Sequence, residues 1–99
     1  MSLKDAYDLD YLVNEAERFV LEELEAQLKQ DTEGKVCKCQ DCVLDMAAYA
    51  LNNVRPAYRA SLVGKLYASA INGSDYDKEI KAAVSLAIEK ISKNPMHTD

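Results

Sequence analysis

The chain has 99 residues, a net charge of −5 and an apolar fraction of 48%. That length holds one domain with a modest core, and an acidic chain without a basic run is excluded as a binder of long nucleic acid. No apolar core follows a basic start and no stretch approaches the ~20 apolar residues of a membrane span, so no membrane partner and a cytoplasmic location are expected.

Gly and Pro are scarce, at three and two, while Ala, Leu, Glu and Lys abound, a composition that favours helix. The first helix is expected from Tyr7 to Gln30, with Asp8 as its N-cap and residues 1–6 as a loose end. Leu9, Leu12, Val13, Ala16, Phe19, Val20, Leu24 and Leu28 recur at three- and four-residue steps and define one apolar stripe. Glu15, Glu22 and Glu25 are expected to face outward. Tyr7, Tyr11 and Leu21 widen the apolar surface and point to a second chain, against the plainer reading of partly exposed amphipathic residues.

Asp31, Thr32 and Gly34 end this helix in a loop, and Cys37, Cys39 and Cys42 follow at once. The second helix is expected from Asp41 to Asn53, with Val43, Met46, Ala47, Ala50, Leu51 and Val54 placing it in the centre of the core. Asn53 suits a left-handed cap, and Pro56 prevents continuation. Ala57 to Ser61 reads as an irregular or extended connector, and Leu62 to Ile71 as a short third helix weakened by Gly64. Ser74 caps a fourth helix with Asp75 and Asp77 in its first turn. Tyr76, Ile80, Ala83, Val84, Ala87, Ile88 and Ile91 are its buried repeat. Asn94-Pro95 ends it, leaving 95–99 as a loose tail. No strand alternation is visible, so the expected fold is an all-α compact bundle of about four helices in a single domain, 1–99, forming a homodimer.

All three cysteines lie within six positions as C-x-C-x-x-C. Three cannot all pair within one chain, and cytoplasmic thiols stay reduced, so a metal is favoured over a disulfide framework. Thiolates are soft ligands that select zinc, and a structural zinc takes four of them or their equivalents. Cys37, Cys39 and Cys42 are therefore the candidate ligands, with Cys42 in a helix first turn where the dipole favours a thiolate. Lys35 and Lys38 would offset the excess negative charge. His97, the only histidine, is a candidate fourth ligand, alongside Asp41, Glu33, a water or a group from a second chain. The competing readings are three reduced, partly buried cysteines and thiol redox chemistry without a metal.

The charge is uneven: residues 1–33 carry −7, residues 34–72 carry +3 and residues 73–99 carry −1. Within the basic middle, Arg55, Tyr58, Arg59 and Lys65 form a hinge that would suit a small anion with stacking faces. The plainer alternative is a solvated rim around a packed tyrosine. No nucleophile with an acid–base partner, carboxylate pair or phosphate loop stands out, so no enzyme is expected.

The run Cys37-Lys-Cys-Gln-Asp-Cys42, continued by Asp45-Met-Ala-Ala-Tyr-Ala-Leu-Asn-Asn53 and Pro56-Ala-Tyr58, resembles the late competence development ComFB family. Asn14-x-x-Glu17-x-x-Val20 and Gly64-Lys-Leu-Tyr-Ala68 are similar to the same family. The resemblance implies a small, helical, homodimeric, non-enzymatic bacterial regulator with cysteine-bound zinc, carried onto Cys37, Cys39 and Cys42. The family's site draws a fourth cysteine from later in the chain, which this sequence lacks. As an alternative, the resemblance implies a receptor for a cyclic dinucleotide, c-di-GMP or c-di-AMP, that controls competence or motility.

Overall fold

The computed structural model of the chain describes residues 2–60 and 75–93. The expected third helix, Leu62 to Ile71, with Lys65, the Ser74 cap and the tail with His97, lies outside the described residues. Among the described residues the fold is helical, with four helices and one two-stranded sheet. In chain order these are α1 (Leu3–Ala6), β1 (Val13–Asn14), α2 (Glu15–Lys29), α3 (Gln40–Leu51), β2 (Tyr58–Arg59) and α4 (Asp75–Lys93).

The N-terminal boundary is corrected. The helix expected from Tyr7 starts at Glu15, eight residues later. Asp8 caps no helix; its carboxylate instead accepts from the Asp10 amide at 3.0 Å, a local turn that Asp side chains favour. Asn14 is the true N-cap. Its Oδ1 accepts from Ala16 N at 3.1 Å and from Ala57 N at 2.8 Å, 43 residues away. The Glu15 amide donates to the Ala57 carbonyl at 2.9 Å. Beside these bonds β1 pairs antiparallel with β2, Val13 opposite Arg59 and Asn14 opposite Tyr58. This distant pairing competes for the backbone groups a longer helix would use. Leu12 and Tyr11, drawn out of the helix, are accordingly exposed. The strand pair is also what the expected connector at Ala57–Ser61 contributes: two of its residues are strand, where no strand was legible.

The remaining stripes hold. α2 buries Ala16, Phe19, Val20 and Leu24; α3 buries Cys42, Met46, Ala47 and Ala50; α4 buries Tyr76, Ile80, Ala83, Val84 and Ala87. The three helices pack pairwise around one cluster. The Phe19 and Tyr76 rings meet edge to face at 6.2 Å, joining α2 to α4. α3 ends through a device other than the one expected. No non-glycine residue among the described ones has positive φ, so Asn53 is not a left-handed cap. Asn52 is the C-cap in right-handed geometry, and the Asn53 side-chain amide donates to the Tyr49 carbonyl at 2.8 Å. Glu15, expected to face solvent, is the one buried charged residue among those described, at 5% exposure.

Candidate metal centre

Between α2 and α3 the chain turns over ten residues with little apolar material. Asp31 organises that turn. Its carboxylate accepts from Lys35 N at 3.1 Å, from Val36 N at 2.8 Å and from Lys38 Nζ at 2.6 Å. Gly34, at φ 69°, occupies the left-handed region that the turn needs and that side chains disfavour. The loop is thereby held so that Cys37 arrives beside the start of α3.

Cys39 is the N-cap of α3. Its Sγ accepts from Cys42 N at 3.4 Å, and its carbonyl accepts from Val43 N at 3.0 Å. The helix expected from Asp41, α3, therefore begins one residue earlier at Gln40, with the Cys39 sulfur closing its first turn. Cys42 lies one turn on, buried to 1% exposure, while Cys37 and Cys39 face solvent. The three Sγ atoms lie within 4.8 Å of one another. Two sulfurs bound tetrahedrally at about 2.3 Å from one ion sit ~3.8 Å apart, so a small contraction would close this group on a cation. The donor set fits a soft divalent metal.

Electrostatics at the site favour the same occupant. Burial first, and the neighbouring Cys37 and Cys39 sulfurs with it, push the Cys42 thiol up to about 12. A cation among the three sulfurs reverses this preference, because a coordinating thiol is held as thiolate. Lys35 and Lys38 are at hand but engaged: Lys38 Nζ binds Asp31, and Lys35 Nζ lies 2.9 Å from Glu33. Among the described residues no carboxylate or imidazole joins the sulfurs, Asp41 and Glu33 included.

Asp31 gives the loop a pH dependence. Its bond from Lys38, then that from the Val36 amide, holds its carboxyl down at about 2. A carboxylate depressed in the folded state stabilises it above the ordinary value near 4, and that contribution is lost as pH falls through the folded value. The Val36 amide resonance is therefore expected to shift with a midpoint near 2 in an acid titration. A midpoint near 4 would mean that the loop does not hold Asp31 in this way.

The structure separates the members of the basic hinge. Arg55 turns to α4: its amide and Nε donate to Glu79 at 2.6 and 2.8 Å, and its guanidinium sits 5.3 Å from the Tyr76 ring centre. Tyr76 OH donates to the Arg55 carbonyl at 2.7 Å. Arg59 turns to α2, where its Nε donates to Glu15. Tyr58 is exposed. Glu15 also accepts from Arg18 Nε at 3.0 Å, and the two guanidiniums, Arg59 first and then Arg18, hold its carboxyl below the usual range. These residues border a cleft of ≈ 580 Å³ lined by Val13, Asn14, Glu15, Glu17, Arg18 and Arg59. Glu15 and Arg18 were not legible as members of any site. The one available signal was the Asn14-Glu15 pair, a capping amide followed by an acid, which is common in sequences.

A family model described as late competence development protein ComFB matches residues 13–95. The chain belongs to the ComFB family. The ComFB match begins at Val13, the first residue of β1, and so takes in the strand pair, the Asp31 loop, the three cysteines and all of α4. Residues 2–12, with α1, precede the part that is ComFB-like. No curated protein is similar enough to the chain to match it. No described helix is long and apolar enough to cross a membrane.

Proposed function

We propose that this ComFB-family chain is a non-enzymatic regulatory module, cytoplasmic and homodimeric, whose cysteine cluster holds one structural zinc. The observation that carries the reading is the convergence of three sulfurs within 4.8 Å at the N-terminus of α3. Zinc suits the thiolate donors, and a fourth ligand completes the tetrahedron. A second copy of the chain finds candidate surface in Leu21, Leu44 and Leu86, one exposed leucine on each packed helix. The test is metal analysis and light scattering on purified, reduced, unchelated protein. About one zinc per chain and a mass of two chains are expected. Absence of zinc overturns the metal reading, and a one-chain mass at micromolar concentration overturns the dimer.

A cyclic dinucleotide receptor is the second reading, supported by the cleft that carries Arg18 and Arg59 on its wall. Phosphates would have to compete with Glu15 for both guanidiniums. Calorimetry with c-di-GMP and c-di-AMP decides it: saturable heat supports a receptor, and no heat from folded, zinc-loaded protein removes that role.

A further inference from the structure

The cysteine cluster is asymmetric in a way that its metal role does not require. Cys39 and Cys42 are the N-cap and third residue of one helix, separated by Gln40 and Asp41. Cys39 is an exposed residue, and its sulfur already accepts the Cys42 amide at 3.4 Å. The Cys42 sulfur is shielded from solvent at 1% exposure, beneath the same helical turn and within 4.8 Å of the other two. Residues three apart in a helix rise about 4.5 Å along its axis, which with their offset around the axis sets their Cα atoms about 5 Å apart. That falls inside the roughly 4.4–6.8 Å Cα separation that a disulfide spans. Cys37 enters from the loop and belongs to a different segment of backbone.

We propose that Cys39 and Cys42 are a peroxide-responsive redox pair, with Cys37 the sulfur left over, so that oxidation regulates the occupancy of the metal site. For its metal consequence this rests on the zinc reading above; for its disulfide it does not. A peroxide reaches the sulfur of Cys39, an exposed residue. That sulfur, as thiolate, attacks one oxygen and the O–O bond breaks, giving a sulfenic acid and a hydroxide that takes up a proton to leave as water. The Cys42 sulfur then displaces the second hydroxide and forms the S–S bond, its thiol proton passing to that hydroxide, which leaves as water. Two thiols and one peroxide become one disulfide and two waters; the sulfurs lose two electrons and the peroxide oxygens gain them. The new bond joins two residues of the helix start and leaves α3 intact, but it withdraws two of the three sulfurs from any shared ion. The readout of oxidation is therefore loss of the metal together with release of the loop that carries Cys37.

The experiment treats reduced, full-length protein with hydrogen peroxide and follows intact mass, the disulfide map and zinc release to a chromogenic chelator. The expected result is loss of the mass of two hydrogens, a Cys39–Cys42 bridge, release of the bound zinc and recovery of the thiols with dithiothreitol. Cys37→Ser should still form the bridge, whereas Cys39→Ser, at an exposed position, should not. A Cys37–Cys39 bridge, a sulfinic acid on Cys39 with the Cys42 thiol intact, or zinc retained after the bridge forms would overturn the proposal. Protein that contains no zinc at the start refutes the metal reading instead, and its disulfide map still decides the redox pair.

Discussion

Stripping the proposed zinc from the reduced protein is expected to lower its stability on the order of 10 kcal/mol in apparent free energy, the scale of structural zinc in small zinc peptides. The reason lies in the segment between α2 and α3. Its partly buried Val36 is the main apolar anchor to the core, and its charged residues other than Asp31 are exposed. Asp31 shapes the turn, but a few hydrogen bonds near the surface offset only part of the entropy of ordering these ten residues. Without a cation, the Cys42 thiol returns to its protonated state beneath the helix, and the first turn of α3 keeps a weak sulfur cap as its closure. Denaturant unfolding with and without a strong chelator measures the effect. Cys37→Ser should weaken zinc retention while leaving the core as it is, since Cys37 is exposed and outside the buried cluster. An unfolding curve that stays unchanged after the zinc has demonstrably left would refute a structural role.

Glu15→Ala is expected to cost about 2–3 kcal/mol, the largest effect of any single charged residue among those described. Glu15 accepts from Arg59 and Arg18, and its own amide ties α2 to the Ala57 carbonyl. The carboxylate is covered chiefly by these guanidiniums and lies near the surface rather than deep in the core, which keeps the expected loss below that of a fully interior pair. Removing it leaves the Arg59 side chain, 23% exposed, without its counter-charge at the strand pair. Arg18 is 55% exposed, so Arg18→Ala should cost well under ~1 kcal/mol. Because the Glu15 carboxyl is depressed in the folded state, its contribution is complete above the ordinary Glu range and fades as pH falls through the lowered folded value. Urea unfolding at neutral pH compares the two variants. If Glu15→Ala costs no more than Arg18→Ala, the Arg59 contact carries no appreciable stability.

Local pattern was enough for much of this protein. The stripes Ala16–Phe19–Val20–Leu24, Met46–Ala47–Ala50 and Tyr76–Ile80–Val84–Ala87 are legible because helical burial repeats every three to four residues, and each is buried where its spacing places it. The cysteine cluster is legible for a similar reason: six consecutive positions leave the sulfurs few ways to stay apart. Tertiary structure decided the rest. Where α2 begins depends on Asn14 and Val13 meeting Ala57 and Arg59 across more than forty residues, and no local pattern encodes that meeting. The same pairing turns Glu15 from an expected surface acid into the buried partner of two arginines. It also divides the basic hinge, sending Arg55 to Glu79 on α4 and Arg59 to Glu15 on α2. Periodicity reports which face of a helix is dry. A single charged side chain is buried or exposed according to the partner that arrives from elsewhere in the chain, and that follows only from the fold.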